Sequence, residues 1–482
     1  MTTLLAALRA AVGGAAVIDD PELLASYRND HAVGAEAGEP MVAVFPTSTE
    51  QVSAVLSAAT AHRTPVVPRG AGSGLSGGAN AVDGCIVLGL ERMREILEVR
   101  PSDGYAVVQP GVVNQELRDH VRPSGLWYAP DPASKDFCTI GGNVNTNAGG
   151  LCCVKYGVTR DAVLGLEVVL ADGRVARLGR RTVKGVAGYD LTGLIIGSEG
   201  TLGVVTAARV RLRPLPTTPT TVVAVFADMG AAGRAVESIM SIATPSLLEV
   251  MDRTTIAAVE AFQPMGLDTT AAALLLAQSD LPGLAAHTEA DVILTACERA
   301  GATEAYRSED AEQADLLLGA RRAAIPALEQ LGAWLLDDIA VPRSRLVEAI
   351  EAIERIALDR DVVIGTFGHA GDGNLHPTIV YPHGDEAAAR RAIDAFDDIL
   401  HVALDLDGTV TGEHGVGVEK LNAMCTQFGA AELERFHGIK EAFDAYRLLN
   451  PGKAVPTLHR CAEMGRMQVH HGALPHPDLP RF

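Results

Sequence analysis

A glycine-rich loop lies between two short apolar runs near the start of the chain, and it limits the folds open to this sequence. The loop, residues 68–78, contains the pattern G-x-G-x-x-G. A dinucleotide-binding Rossmann unit requires an amphipathic helix directly after such a loop. Here a turn-like run (79–84) follows instead, and then a strand-like run (85–88). The sequence therefore argues against a Rossmann domain.

The composition of the loop still indicates a ligand. Five glycines in the nine residues 70–78 leave backbone N–H groups uncovered by Cβ atoms, which suits a pyrophosphate. Two more glycine-rich segments follow, at 139–150 and 197–206, and the first of them is rich in short polar side chains. Three such segments together predict one large, extended ligand with two phosphates and a ring system.

Length and charge restrict the number of domains and the classes of partner. A chain of 482 residues exceeds a single hydrophobic core, so two or more domains are expected. The formal net charge of −20 argues against nucleic acid and anionic membranes as partners. No apolar run reaches the ~18 residues of a membrane-spanning helix, so no integral membrane contact is expected. The proline-rich segment 213–219 is the best candidate for an interdomain linker.

The seven cysteines include no C-x-x-C pair. Neither iron–sulfur ligands nor a disulfide framework is visible, so we expect reduced thiols and a cytoplasmic protein.

Residues 362–381 predict a β-hairpin around the Asp-Gly pair at 372–373, because Asp-Gly is favoured in two-residue hairpin loops. In that register His369 lies directly opposite His376 on one face of the ribbon. Two imidazoles so placed can bind one metal ion, and the Glu-His loop (residues 411–417) offers a third ligand. A hairpin with two unrelated surface histidines is the alternative.

These motifs resemble those of a known family. The three glycine-rich segments are similar to the flavin-binding segments of the vanillyl-alcohol oxidase / p-cresol methylhydroxylase flavoproteins. The run from His369 to His376 and the triplet Glu413-His414-Gly415 resemble the signature of the FAD-linked 2-hydroxyacid dehydrogenase branch. That branch includes glycolate oxidase flavin subunits, D-lactate dehydrogenases and D-2-hydroxyglutarate dehydrogenases. The resemblance runs from about residue 20 to residue 456.

The resemblance implies an α+β fold. We expect a two-part FAD-binding domain of the p-cresol methylhydroxylase type at 1–218. An α+β substrate domain with an antiparallel sheet should follow at 219–400. A C-terminal helical segment with the Glu-His loop and a tail should occupy 401–482.

The resemblance also assigns the cofactor. FAD is expected to bind noncovalently, because Ser73 stands in the loop where some relatives carry a flavin-linked histidine. The assigned contacts are Arg69, Gly70, Ala71, Gly72, Ser73, Gly74 and Gly77 for the pyrophosphate, Thr139, Gly141, Gly142, Asn143, Thr146 and Gly149 for the isoalloxazine or ribityl chain, and Glu199, Gly200 and Val205 for the adenine-side or ribityl contacts. Asn450 is a further expected cofactor-binding residue.

The chemistry of such a site follows from its side chains. A divalent ion held by His369, His376 and Glu413 would chelate the substrate and lower the pKa of its hydroxyl group. This ligand set suits zinc, with manganese or iron as alternatives. His414 is the expected base because its ordinary pKa lies near 6.5, and N5 of FAD is the expected hydride acceptor.

Three cations are candidates to bind the substrate carboxylate. Arg321 and Arg322 could bind it bidentately. A solvated helix face is an equally good explanation for both residues. The family resemblance favours Arg321. Lys420 is the weaker candidate, because exposed lysines are common.

The substrate is predicted to be a small 2-hydroxy acid, with glycolate or D-lactate favoured. Relatives that act on D-2-hydroxyglutarate usually carry Asn two residues after the second motif histidine and a lysine in the strand before Pro342. This chain has Thr378 at the first position and Leu336-Asp337 in that strand. A D-2-hydroxyglutarate dehydrogenase, a non-catalytic FAD subunit and a metal hydrolase are the alternatives. The electron acceptor stays open between a quinone, an electron-transfer flavoprotein, an iron–sulfur subunit and oxygen. A homodimer and peripheral membrane association through a partner also stay open.

Overall fold

The computed structural model describes residues 2–182, 184–308, 310–457 and 461. The expected tail therefore lies almost entirely outside the described residues.

Strands and helices both occur throughout the described residues, and several strands follow one another without a helix between them. The strands are β1 (Val17–Ile18), β2 (Val42–Val44), β3 (Val66–Arg69), β4 (Ile86–Gly89), β5 (Ile96–Arg100), β6 (Tyr105–Val108), β7 (Leu126–Trp127), β8 (Val163–Val169), β9 (Val175–Gly179), β10 (Val204–Arg211), β11 (Arg213–Pro214), β12 (Thr220–Phe226), β13 (Leu247–Asp252), β14 (Ala273–Ser279), β15 (Glu304–Arg307), β16 (Ala333–Leu336), β17 (Ile339–Ala340), β18 (Val363–His369) and β19 (Asn374–Tyr381).

The helices are α1 (Thr2–Val12), α2 (Pro21–Leu24), α3 (Thr49–His62), α4 (Asn114–Val121), α5 (Ile140–Thr146), α6 (Cys153–Tyr156), α7 (Thr159–Ala162), α8 (Leu191–Ile195), α9 (Met229–Ile242), α10 (Arg253–Phe262), α11 (Leu284–Ala300), α12 (Ala311–Arg322), α13 (Ala324–Glu329), α14 (Leu346–Arg360), α15 (Glu386–Asp405), α16 (Leu421–Gln427) and α17 (Ala430–Phe443).

The first half of the chain forms two sheets. A four-stranded sheet has the order β1-β2-β4-β3, in which β4 pairs in parallel with both β2 and β3. An antiparallel five-stranded sheet has the order β5-β6-β10-β8-β9. Each sheet packs its apolar face into its own core. The long glycine-rich connection between β3 and β4 leaves the first sheet at its edge, in the position predicted for a phosphate-binding loop.

The second half is built on one large antiparallel sheet, as the resemblance implies. Its order is β15-β12-β14-β13-β18-β19-β16, with β17 also paired to β19. Helices α9, α11, α14 and α15 bury one face of this sheet, and α10 and α13 bury the other. Strands β13, β18 and β19 therefore lie at the centre of a three-layer structure.

The C-terminal helices return to the first half. Ile439 and Phe443 of α17 pack against the core of the five-stranded sheet. Leu449 joins the core of the four-stranded sheet, where it forms a β-bridge with Val66. The segment that follows the Glu-His loop thus contributes to the walls of the first half.

One expectation about cysteine is wrong. Cys425 and Cys461 form a disulfide across 36 residues of sequence, with Cα atoms 5.3 Å apart. No sequence motif predicts this disulfide, because the two residues meet only after α16 and α17 have folded against each other. Five free cysteines are present among the described residues. Thiol content therefore no longer argues for a cytoplasmic location.

Within the described ranges, we find no helix that combines the length and the apolar character required to traverse a bilayer.

Candidate active site

A cavity of about 770 Å³ lies between the glycine-rich segments and the large sheet. Glu413 and His414 line it together with Trp334 and Leu336 of β16. Most residues expected to contact the cofactor line it as well: Arg69, Gly70, Ala71, Gly72, Ser73, Gly74, Thr139, Gly141, Gly142, Asn143, Thr146, Gly149, Glu199 and Gly200. One cavity therefore contains both the expected cofactor site and the expected catalytic loop.

Three expected cofactor residues lie in its supporting walls instead. Val205 is fully buried in the core of the five-stranded sheet, because alternate side chains of β10 point into that core. Asn450 donates its side-chain N–H to the backbone oxygens of Gly78 and Glu199, at 2.8 and 2.7 Å. Gly77 has a φ of +77° and lies against Val418, which leaves no room for a side chain.

The first glycine-rich segment presents free backbone donors. We call residues 70–76 the glycine cradle. In the described part of the chain, no backbone carbonyl accepts a hydrogen bond from the N–H groups of this cradle. Gly72 has a φ of +71°, and a Cβ there would collide with the buried guanidinium of Arg69. Such a row of unpaired N–H groups at a cavity wall is typical of an anion-binding site.

The second segment is a short helix rather than a loop. Helix α5 begins after Thr139, whose hydroxyl accepts a hydrogen bond from Gly142 N at 3.3 Å. Gly70 of the glycine cradle permits close packing, since a Cβ on it would lie 2.6 Å from the Thr139 hydroxyl oxygen and 3.7 Å from Cα of Gly142. The first turn of α5 therefore lies directly against the glycine cradle.

The histidine hairpin forms, but its predicted register is wrong. His369 lies opposite Asn374, and His376 lies opposite Phe367. The connection spans four residues (370–373) because only Gly373 of the Asp-Gly pair adopts a positive φ, whereas a two-residue type I′ turn needs two. The register moves by two positions, which preserves the face of each side chain. The two imidazoles therefore still meet, with ring centroids 5.2 Å apart.

The expected metal ligands converge on one point. Nε2 of His369 lies 3.4 Å from Oε1 of Glu413, and Nε2 of His376 lies 3.3 Å from the same oxygen. Ligands at about 2.1 Å around a tetrahedral zinc ion are roughly 3.4 Å apart. The donor types and their spacing therefore fit a divalent ion with three protein ligands and an open position.

The protonation of this cluster is consistent with a cation at its centre. Burial alone would raise the pKa of Glu413, but hydrogen bonds from His369 and His376 outweigh it and hold this pKa well below its ordinary value. Burial alone would lower the pKa of His369, but the Glu249 carboxylate outweighs it and raises this pKa. The carboxylates thus favour positive charge where the three ligand atoms meet.

Glu249 on β13 contacts two residues of the candidate site, and it was not identified from the sequence. Its Oε1 atom lies 2.6 Å from Nδ1 of His369, and its Oε2 atom accepts from Nε of Arg321 at 2.7 Å. Such a carboxylate fixes the tautomer and orientation of a metal-binding imidazole. A lone glutamate in an apolar strand pattern was the only signal in the sequence.

Asp338 was also missed, although it organises the Glu-His loop. Its Oδ2 atom accepts hydrogen bonds from the Thr411 hydroxyl at 2.6 Å and from the backbone N–H groups of residues 412, 413 and 414 at 2.9 Å each. Burial alone would raise the pKa of Asp338, but His414, Lys420 and His376 outweigh it and lower this pKa. Asp338 is therefore an ionised anchor for the loop.

His414 lies beside the cluster formed by His369, His376 and Glu413. Its ring stacks on that of His376 with centroids 5.2 Å apart and an interplanar angle of 15°. Burial lowers the pKa of His414 below its ordinary value, although the Asp338 charge opposes this. A neutral imidazole at the edge of the cavity can accept a proton.

The candidate carboxylate-binding cations are in different environments. Arg321 is buried, and its guanidinium lies 4.4 Å from the centre of the Phe367 ring while it pairs with Glu249. Arg322 lines the cavity and pairs with the exposed Asp315. Lys420 was expected to be exposed, and this expectation is wrong. Its side chain is fully buried against Asp337 and the carbonyls of Asp338 and Val410. Lys420 therefore holds the base of the Glu-His loop.

The chain matches two protein families along its length. Residues 40–179 match the family described as FAD binding domain, and residues 215–454 match the family described as FAD linked oxidases, C-terminal domain. The first match contains the glycine cradle and α5, and the second contains the histidine hairpin and the Glu-His loop.

Several curated relatives are similar over nearly their whole length. The chain is 40% identical to glycolate oxidase subunit GlcD of Escherichia coli strain K12, covering 100% of this chain and 96% of the relative. It is 42% identical to glycolate oxidase subunit GlcD of Bacillus subtilis strain 168, covering 86% and 88%. It is 33% identical to a D-lactate dehydrogenase of Anaerostipes hadrus, covering 91% and 94%.

Solved structures share the fold at lower identity. p-Cresol methylhydroxylase with bound substrate superposes with a TM-score of 0.78 at 20% identity, covering 95% of this chain and 97% of that one. 4-Ethylphenol oxidase from Gulosibacter chungangensis gives 0.78 at 20% identity, covering 94% and 97%. The chain is an FAD-dependent oxidoreductase with the p-cresol methylhydroxylase fold, and it belongs to the FAD-linked oxidases.

Proposed function

We propose that this enzyme oxidises a small D-2-hydroxy acid, with glycolate or D-lactate favoured, to the corresponding 2-oxo acid. The observation that carries the proposal is the shared cavity, in which Glu413 and His414 face the glycine cradle and α5. The names of the relatives, glycolate oxidase subunit and D-lactate dehydrogenase, support this substrate class.

The cofactor site suits noncovalent FAD. The unpaired N–H groups of the glycine cradle would bind the pyrophosphate, and α5 would line the ring system. No histidine lies between Arg69 and Gly78 to form a covalent link to the flavin. Bound FAD supplies the acceptor for the hydride that leaves C2 of the substrate. Release of the yellow chromophore on acid precipitation would test the noncovalent assignment.

The second half supplies proton transfer and metal binding. His369, His376 and Glu413 would hold a divalent ion, with zinc favoured by the ligand set. Such an ion supplies Lewis acidity that lowers the pKa of a substrate hydroxyl. His414 accepts the hydroxyl proton, because its lowered pKa keeps it neutral near pH 7.

Arg321 is assigned to the substrate carboxylate. Glu249 holds its Nε atom, and the same carboxylate contacts His369. Within the described residues, its two terminal nitrogens donate to no protein acceptor, which leaves their donors for a bidentate anion, although Arg322 and not Arg321 lines the cavity. Substitution of Arg321 by lysine should raise KM for the 2-hydroxy acid more than it lowers flavin content.

The proposal includes a partner protein as electron acceptor. Two relatives are named as subunits of glycolate oxidase, which supports assembly with further subunits here. A cytoplasmic location, with membrane contact only through such a partner, belongs to the same proposal.

Anaerobic mixing tests the function directly. The purified yellow protein is mixed with glycolate, D-lactate, L-lactate and D-2-hydroxyglutarate, and flavin absorbance near 450 nm is followed. Glycolate or D-lactate should bleach the flavin fastest. His414→Ala should retain flavin and bleach at least about 100-fold more slowly. Bleaching by D-2-hydroxyglutarate alone would contradict the proposed substrate. An unchanged rate in His414→Ala would contradict the role of His414 as the base, and an unchanged rate after metal chelation would contradict the role of the metal.

A further inference from the structure

Glu199 occupies an unusual position for a residue expected to contact flavin. It has a left-handed backbone φ of +52°, and its side chain is buried on the wall of the cavity. Its N–H donates to Asn145 O of α5 at 2.8 Å, and its carbonyl accepts from Asn450 at 2.7 Å. The backbone of Glu199 is therefore fixed by α5 on one side and by Asn450 of the C-terminal segment on the other.

The carboxylate of Glu199 points to the other half of the molecule. Oε1 accepts a hydrogen bond from Val416 N at 2.7 Å, and Oε2 accepts from Gly417 N at 2.8 Å. Both oxygens are thus committed to the Glu-His loop. Gly415 permits this close approach, because a Cβ there would lie 2.9 Å from Oε1 of Glu199.

Two carboxylates accept hydrogen bonds from different parts of the Glu-His loop. Asp338, which follows β16, accepts hydrogen bonds from the donors of residues 411–414. Glu199, in the third glycine-rich segment, accepts hydrogen bonds from the backbone N–H groups of residues 416 and 417. Ser76 reinforces the cofactor side, since its hydroxyl donates to His414 O at 3.1 Å. Glu413 and His414 lie between these two anchors.

We propose that Glu199 is a positioning residue, which fixes the loop carrying Glu413 and His414 relative to the bound flavin. Its contribution comes from the two backbone hydrogen bonds, and it acts through Glu413 and His414 without contacting the substrate. A misplacement of about 1 Å between reacting groups can cost about 100-fold in rate, so an anchor of this kind affects turnover. The inference rests on the proposed roles of Glu413 and His414.

Glu199→Gln tests this assignment in the FAD-loaded protein. A glutamine side chain offers one acceptor oxygen, so one of the two loop N–H groups loses its partner. Backbone amides in peptides that cover residues 411–417 should exchange hydrogen for deuterium faster than in the wild type. The flavin-to-protein ratio should stay unchanged, and the dissociation constant for added Zn²⁺ should rise by about 10- to 100-fold.

Asp444→Asn is the matched control. Asp444 is also buried, and its carboxylate accepts backbone N–H bonds from Leu448 and Leu449 at 3.1 and 2.7 Å. This variant should leave both Zn²⁺ affinity and exchange in 411–417 unchanged. Glu199→Asp retains the charge but is one methylene shorter, so it should give an intermediate effect. It replaces the glutamine variant if that protein does not fold.

The outcomes separate this inference from the proposed function. Normal exchange in 411–417 combined with loss of flavin in Glu199→Gln would show that Glu199 is a cofactor contact, and would overturn the inference. Normal exchange with normal Zn²⁺ affinity would overturn it as well. Failure of the wild type to bind Zn²⁺ would contradict the proposed metal site, while the exchange measurement would still decide the role of Glu199.

Discussion

Nδ1 of His369 lies 2.6 Å from Oε1 of Glu249, and both side chains are buried. The contact leaves Nε2 of His369 to face Glu413, the arrangement needed for a metal ligand. It also connects the ligand to Arg321, because Glu249 binds both residues. A single carboxylate thus contacts a candidate metal ligand and a candidate substrate-binding cation.

Glu249→Gln should weaken metal binding. The neutral amide no longer balances the charge on His369 and Arg321, and loss of such an outer contact typically costs 10- to 100-fold in metal affinity. Titration of the metal-free protein with Zn²⁺ measures the effect. Glu260→Gln is the control, since Glu260 accepts backbone N–H bonds from residues 265–267 away from the site. Equal Zn²⁺ affinities in the two variants would contradict the role of Glu249.

Asp338→Asn should lower turnover with flavin still bound. The amide can present its NH₂ group to donors that now share Oδ2, so the loop from Thr411 to His414 loses its anchor. We expect kcat to fall by about 10- to 100-fold. Asp385→Asn is the control, because Asp385 also accepts two backbone N–H bonds but is exposed at the start of α15. Wild-type kcat in Asp338→Asn would refute the prediction.

Gly149→Ala should disturb the site by steric conflict alone. A methyl group on Gly149 would collide with the Glu413 carboxylate, which lies directly against this glycine. We expect loss of metal affinity and at least about tenfold lower turnover. Gly438→Ala in α17 is the control, because no atom lies within 4 Å of its added Cβ. There the substitution should leave activity unchanged and stabilise the helix by up to about 1 kcal/mol.

Asp252 should make stability depend on pH. Burial raises its pKa from 3.8 to about 6 in the folded protein. Between these values the folded state binds more protons than the unfolded state, so stability falls as pH rises through this window. The loss amounts to about 3 kcal/mol, at 1.36 kcal/mol per pKa unit.

Melting temperatures of the wild type and Asp252→Asn, measured from about pH 4 to pH 7, check this prediction. Asparagine does not titrate, so the wild type should lose stability relative to the variant as pH rises. Parallel melting curves across this range would show that Asp252 keeps its ordinary pKa.

Much of the site was predictable because its signals are local. The two histidines alternate correctly along their strands, so both lie on one face even though the Asp-Gly turn was assigned the wrong length. The glycine cradle was recognisable because free backbone donors require a run of small residues. The triplet at 413–415 stood out because glycines flank two polar side chains.

The supporting residues were not predictable, because their partners are distant in sequence. Glu249 and Asp338 meet the site only through strand pairing and loop packing, and neither has a local motif. Lys420 looked like a surface lysine, although the chain buries it against Asp337. Helix α5 was not predicted because it contains glycines, which disfavour helices. Only the capping residue Thr139 marks where the helix begins.

The bridge between Val66 and Leu449 has a consequence for biosynthesis. Val66 N donates to Leu448 O, and Asn450 N donates to Val66 O, each at 2.8 Å, at the first residue of the strand that leads into the glycine cradle. The four-stranded sheet near the beginning of the polypeptide is therefore completed by residues translated almost four hundred codons later. A nascent chain cannot complete this sheet until residues 448–450 have left the ribosome, so flavin loading should follow their synthesis.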